Sequence, residues 1–482
     1  MREIKYDFGM IGLGVMGSNL LLNMADHGFA VIGYDKNPDK TKLFESSATE
    51  NTVVKGVNTL PAMIDALKVP RKIMMLVPAG NPVDSVIADL SPLLQEGDII
   101  IDGGNSHYVD TLKRIHDLKD KGFHFMGIGI SGGEEGARKG PSIMPGGDKE
   151  AYEEVAAILK AVAAKVNGEP CVGYLGNNAA GHYVKMVHNG IEYAIMQLIS
   201  ECYDLMRNGI GLSNAEIHEV FHSWDSGEMK SFLLEISSAI FEKKDDKATG
   251  NYLVDMILDK AGAKGTGKWT SQEGLDLPMP IPTIDTAVVM RNLSSLIDER
   301  KEASSLYDTS LEKIAIAKEE FVQLLRDALY FATIISYAQG LAMLTTASKE
   351  LKMDIPIPEV VSVWRGGCII RSALLDHFKK AYENPELKNL LLDKNIAALL
   401  KQKENGLKKI VSLAALNSYP SAGFMSSLTY YNAYRRKHLP TNLIQAQRDF
   451  FGAHTYQRID VDGIFHTEWE AKPETVSTKN VL

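Results

Sequence analysis

The stretch Asp7–Asp35, DFGMIGLGVMGSNLLLNMADHGFAVIGYD, decides the fold. Phe8 to Ile11 is a short apolar run that reads as a buried strand, and NLLLNMADHG has the spacing of a helix. Between them Gly12, Gly14 and Gly17 form G-x-G-x-x-G, with Leu13, Val15 and Met16 completing the turn. Glycines there permit a tight turn and let backbone N–H groups approach a pyrophosphate at the positive end of the helix. The pattern alone is weak, but here it opens a βαβ unit whose second strand, AVIGY, ends at Asp35.

Asp35 stands at about the 20-residue spacing at which an acid contacts the adenosine ribose of NAD. A plain turn in DKNPD is the other reading. An aspartate there repels the 2′-phosphate of NADP, while the adjoining Lys36 attracts it, so the residues leave both cofactors open. Further on, LVPAG, with Val77 and Ala79, and IDGGNS, with Asn105, put small residues after predicted strands. That carboxyl edge is where an open parallel sheet binds ligands.

The runs KIMMLV, DIIID and FHFMGIGI continue the alternation of strands with amphipathic stretches. This predicts an α/β Rossmann-like dinucleotide-binding domain over residues 1–177. Strand signals then fade, and helical periods dominate an expected all-α domain over 178–435. Residues 436–482 read as a polar, irregular C-terminal tail that packs onto another surface. Within the helical region, Ala328 to Ser348 is uncharged but interrupted by polar side chains, which predicts a buried core helix rather than a membrane span.

At the start of the helical region, HYVKMVHNGIEYAIMQ carries Lys185, His188, Asn189 and Glu192. On a helix these four fall within roughly a 100° arc, and Lys185 and Glu192 lie ~10 Å apart. A small substrate can bridge them. Taken alone the stripe reads first as a solvated face, but the upstream dinucleotide motif reverses that preference in favour of a cleft.

The 482 residues are 45% hydrophobic and 23% charged, with a net charge of −9, ordinary for a globular chain of about three domains. The negative balance argues against nucleic acid or an anionic membrane as partner. The opening MREIKYDFGM lacks the apolar core of a secretory signal, so a cytoplasmic location is expected. Cys171, Cys202 and Cys368 are too scattered for a disulfide framework or a metal cluster, and no metal is expected.

The segments GLGVMGSNL, DGGNS, GISGGEEGARKGPSIMPGG, KMVHNGIEY, KGTGKWT, RNLSSLIDER and QRDFFGAHTY together resemble the 6-phosphogluconate dehydrogenases. These are the decarboxylating enzymes of the oxidative pentose phosphate pathway. The resemblance implies oxidation and decarboxylation of 6-phosphogluconate to ribulose 5-phosphate, with NADP as the usual cofactor, in a homodimer. It implies that Lys185 takes the proton of the substrate's 3-hydroxyl as hydride leaves carbon 3. Glu192 then protonates carbon 1 after carbon dioxide departs, and Asn189 and His188 hold the hydroxyl and oxyanion. Ser131, Gly132, Gly133 and Asn105 would line the carboxylate and nicotinamide side. Tyr193, Lys264, Thr266 and Arg291 would bind the phosphate, joined by Arg448 and His454 from the partner's tail.

Plainer readings stand beside these. KGTGKWT is also a glycine-rich loop with solvated lysines, Arg291 is also a salt-bridge partner for Asp298 or Glu299, and His454 alone reads as a surface histidine. The chain departs from the usual NADP-dependent pattern in having Asp35, Lys36 and Asn37 after the second strand, and Pro78 where many members carry lysine. The rivals are another β-hydroxyacid dehydrogenase, or a nucleotide-binding protein without catalysis.

Overall fold

In the computed structural model, which describes residues 4–247, 249–308 and 310–469, Met1–Leu428 form one compact unit and Thr429–Leu482 a second. The first unit opens with a seven-stranded sheet in the order β3-β2-β1-β4-β5-β6-β7. Its strands are β1 (Phe8–Ile11), β2 (Val31–Tyr34), β3 (Val54–Val57), β4 (Lys72–Met75), β5 (Ile99–Asp102), β6 (His124–Ser131) and β7 (Ser142–Gly147). All neighbours pair parallel except β6 with β7, which run antiparallel.

Strands β1, β5 and the core of β6 are buried throughout, as a sheet covered on both faces requires. The chain order reverses between β1 and β4, which opens a crevice beyond their carboxyl ends. Two strands, β3 and β7, were not among the apolar runs that the sequence pointed to. Each lies at a sheet edge: β3 is partly exposed, and β7, SIMPGG, carries a proline and two glycines that an edge strand tolerates but that read as a loop.

The helix Ala180–Asp204 lies directly against β6 and β7, so the polar stripe is delivered to the sheet rather than to solvent. Glycine makes this approach feasible. A Cβ at Gly129 of β6 would strike the Lys185 side chain, and one at Gly181 would overlap the carbonyls of Gly127 and Met144. Beyond it the rest of the first unit is helical. Lys318–Glu350 is long and apolar enough to cross a membrane, but 94% of its apolar window is buried, as expected of a core helix.

The tail differs from the irregular segment expected. Thr441–Gly452 is a helix, ended by Ala453 in a left-handed conformation, and Tyr456 then bridges to Phe465. Its fully buried residue is Asp449, whose carboxylate accepts from the Thr455 and Thr467 amides, the Trp469 indole and His466. An acidic residue on the inner face hides this helix from hydrophobic periodicity.

Candidate active site

Two concavities flank the glycine turn. The first, of about 580 Å³, lies in the crevice between β1 and β4 and is lined by Gly12, Gly14, Asp35, Lys36, Val77 and Pro78, with Lys40, Asn81 and Ser85 alongside. Gly12 has φ of +93° and no room for a Cβ beside the Leu76 carbonyl, whereas the space above Gly14 is open for 4 Å. The turn therefore leads into the helix Val15–Asp26 with its backbone uncovered toward the groove, which fits a pyrophosphate.

Asp35 is engaged within the protein. Its Oδ2 accepts from the Leu13 amide at 2.9 Å, its Oδ1 from the Asn37 amide at 2.9 Å, and Lys40 Nζ lies 3.6 Å from Oδ2. It thus pins the glycine turn to the end of β2. Asn37 caps the following helix, Pro38–Ser46, through Asp39 N. Leu13 is buried, Val15 is exposed, and Ala79 lies outside the groove lining. Gly17 packs so closely on the Gly12 carbonyl that any side chain there is excluded. Sequence reasoning missed Lys40. Its signal was a basic residue in the first turn of a helix, where the dipole disfavours positive charge unless an anion is near.

The second concavity, of about 710 Å³, gathers most of the remaining predicted residues. Lys185, Asn189, Glu192 and Tyr193 enter from the helix Ala180–Asp204. Asn105, Ser131, Gly132 and Gly133 come from the ends of β5 and β6, while Lys264, Thr266 and Arg291 face them, and Met16 extends the wall to the glycine turn. Ile130, Met196, Gly262, Ala263 and Ile369 complete the lining without having been predicted. All five are uncharged, so no charge pattern singles them out.

His188 is fully buried and sits behind this wall, edge-on to Trp364. Its Nδ1 lies 3.0 Å from Asn189 Oδ1 and 3.5 Å from Lys185 Nζ, and its Nε2 lies 3.4 Å from Ser131 Oγ. Because the Asn189 amide group donates to Thr266 Oγ1 at 3.1 Å, its oxygen is left for His188, which assigns the proton to Nδ1 and leaves Nε2 to accept. Burial, reinforced by Lys185, pushes the imidazole well below its ordinary pKa and keeps it neutral.

Burial drives Lys185 down, only partly opposed by Glu192. The same burial drives Glu192 up, opposed by Lys185 and Arg291. Both groups are moved toward neutrality from opposite sides, the tuning of an acid and base sharing one site. Arg291 does not pair with Asp298 or Glu299 among the described residues: its guanidinium lies 3.5 Å from the centre of the Tyr193 ring and donates to the Gly262 carbonyl at 2.8 Å. Burial lowers its pKa, opposed by Tyr193 and Glu192. Arg448 and His454 belong to the second unit. Both are exposed there, Arg448 donating to Gln445 Oε1 at 3.2 Å and His454 lying edge-on to Phe451.

A family profile described as the NAD binding domain of 6-phosphogluconate dehydrogenase matches residues 7–176, and one described as 6-phosphogluconate dehydrogenase, C-terminal domain, matches 181–469. The chain belongs to the 6-phosphogluconate dehydrogenase family. It is 50% identical over 467 residues to the NADP(+)-dependent, decarboxylating 6-phosphogluconate dehydrogenase of Bacillus subtilis, covering 96% of this chain and 99% of that one. The decarboxylating enzyme of Escherichia coli is 48% identical over 469 residues, with 96% and 99% covered. Plasmodium falciparum 6-phosphogluconate dehydrogenase, solved as apo form and with its cofactor NADP+ and its substrate 6-phosphogluconate, superposes with a TM-score of 0.93. That match has 45% identity and covers 96% of this chain and all of that one.

Proposed function

We propose that the chain catalyses the oxidative decarboxylation of 6-phospho-D-gluconate to D-ribulose 5-phosphate and carbon dioxide, with NADP as oxidant. One observation carries the reading: buried Lys185 and part-buried Glu192, tuned in opposite directions, line a cavity that also holds the cations Lys264 and Arg291. The names of the curated relatives support the substrate and the decarboxylation.

In this reading Lys264, Thr266, Tyr193 and Arg291 hold the phosphate, and Ser131, Gly132 and Gly133 the carboxylate, so that carbon 3 lies between Lys185 and Asn105. Neutral Lys185 accepts the 3-hydroxyl proton. The bound nicotinamide supplies the hydride acceptor. The resulting 3-keto acid loses carbon dioxide as the electrons of the carbon–carbon bond pass into the ketone, polarised by protonated Lys185. His188 acts through its contacts to Ser131, Lys185 and Asn189, and Glu192 delivers a proton to the new enol at carbon 1.

The glycine turn and its groove fit a dinucleotide, with Gly12, Gly14, Met16, Val77 and Asn105 along its path. Lys36 and Lys40 favour NADP by offering two positive charges for a 2′-phosphate. NAD is the second reading, favoured by the negative charge of Asp35 itself. Residues 1–177 serve the cofactor and lend Ser131, Gly132 and Gly133 to the substrate, and 178–435 serve the substrate and the homodimer. The tail, 436–482, supplies Arg448 and His454 to the partner's site. The junction between the two family profiles, which end at 176 and begin at 181, supports the first of these boundaries. The setting is the cytoplasmic pentose phosphate pathway.

The test is formation of reduced cofactor from 6-phosphogluconate with NADP and, separately, NAD, with carbon dioxide trapped. Stoichiometric carbon dioxide is the expected result, faster with NADP. Absence of turnover with both cofactors, under conditions where either binds, overturns the reading.

A further inference from the structure

Glu273 is an acidic side chain that the chemistry above does not use, and its surroundings are unusual. It lies on the helix Thr266–Asp276, only 6% exposed, and among the described residues no cation pairs with it. Two phenols face it instead. Tyr108 Oη donates to Oε2 at 2.7 Å and Tyr183 Oη to Oε1 at 3.4 Å, and the two rings meet edge to face with centroids 4.9 Å apart. Burial first, and then the Glu273 carboxylate with its hydrogen bonds, pushes both phenols above their ordinary pKa, so they remain donors.

A buried carboxylate without a countercharge costs stability, and an apolar contact of the same volume would hold these elements together better. What the arrangement provides is direction. Tyr108 stands three residues after Asn105, on the segment that leaves β5. Tyr183 stands two residues before Lys185. Glu273 is carried on the helix whose first residue, Thr266, lines the cavity and binds Asn189. Among the described residues, the Tyr108–Glu273 bond is the one hydrogen bond between the Asp102–Tyr108 segment and this helix. The His107 ring packs on Trp269 alongside it, with centroids 4.7 Å apart.

We infer that Glu273 is a positioning residue: with Tyr108 and Tyr183 it forms a clasp that fixes the Asn105 segment, the Lys185 helix and the Thr266 helix at one spacing. This rests on the reading of the cavity proposed above. The Asn105 side addresses the nicotinamide and the reacting carbons, and the Thr266 side addresses the phosphate. The clasp therefore sets the distance from the anchored phosphate to the carbon that must lose hydride. Misplacement of reacting groups by about 1 Å can cost on the order of 100-fold in rate while leaving binding nearly intact.

Tyr108→Phe removes one oxygen and one bond. With 6-phosphogluconate and saturating cofactor, kcat per folded enzyme is expected to fall about 10-fold, with KM and cofactor Kd held within about twofold. Glu273→Gln keeps the volume but turns an amide N–H₂ toward one phenol, and the same split is expected; should it fail to fold, Tyr108→Phe decides alone. An unchanged kcat, or a loss confined to KM or to the unfolding midpoint, overturns the clasp. The two failures are separable: near-normal turnover by Lys185→Met defeats the underlying reading, whereas an inactive Lys185→Met beside a fully active Tyr108→Phe defeats the clasp alone.

Discussion

The cofactor groove and the catalytic cavity meet at the glycine turn, yet they are built from opposite materials. The groove is backbone: a left-handed glycine, uncovered amides at a helix end, and an aspartate whose oxygens already accept from Leu13 and Asn37. The cavity is side chain, with an amine, a carboxyl and a guanidinium and an imidazole behind its wall, all shifted by burial. Binding a common dinucleotide needs shape and a partial positive charge, which backbone supplies without titrating. Moving protons needs groups poised near neutrality, and only desolvated side chains provide that.

Substitutions in the two regions should therefore fail differently. The largest effect is expected for Lys185→Met, which should lower turnover by about 1,000-fold or more while cofactor affinity, read by fluorescence of the bound reduced form, stays within about twofold. Near-normal turnover would remove Lys185 as the base and erase the contrast. Gly129→Ala comes next. Its new methyl strikes Cβ and Cγ of Lys185 and shifts the amine without removing it, and about a 100-fold loss in kcat is expected with the cofactor groove intact.

On the groove side, Asp35→Asn removes the negative charge beside Lys36 and Lys40 and keeps an oxygen for the Leu13 amide. The ratio of kcat/KM for NADP over NAD should rise about tenfold, with kcat nearly constant. A falling ratio would mean that Asp35 acts through the turn and not through charge.

The smallest effect separates burial from function. Glu201 lies on the same helix as Glu192 and is more deeply buried, but its oxygens accept from the Gly423 and Phe424 amides at 2.7 and 3.1 Å, at the start of the helix Ala422–Tyr434. Burial, against those bonds, pushes its carboxyl up to about 7. The folded state then holds a proton that the unfolded state has released, so this group's contribution to stability is full below about pH 4.5. It declines as pH rises to about 7, by on the order of 3 kcal/mol. Glu201→Gln should flatten that decline in denaturant titrations across pH 4.5–7.5 and leave kcat unchanged. An unaltered slope would show that burial does not raise the Glu201 carboxyl in the folded protein.

The helix Thr441–Gly452 shows where reading a sequence stops. Its inner face is an aspartate held by four donors, and hydrophobic spacing does not register such a face. The strand β7 was hidden for a related reason, since the proline and glycines that an edge permits are the residues that elsewhere announce a loop. Lys40 and Ile369 escaped because neither belongs to a motif; each matters only through what the fold sets beside it.

By itself the sequence determined the Rossmann-like beginning, the helical remainder and the four polar residues of the central stripe, because these depend on local spacing: a glycine turn, a strand period, a helix period. The tertiary structure decided that the stripe faces a cavity, that Lys185 and Glu192 are desolvated enough to be driven toward neutrality, and that Asp35 is tied to the glycine turn. Those properties are distances between residues far apart in the chain, and electrostatic energy follows distance and burial, which no local pattern encodes.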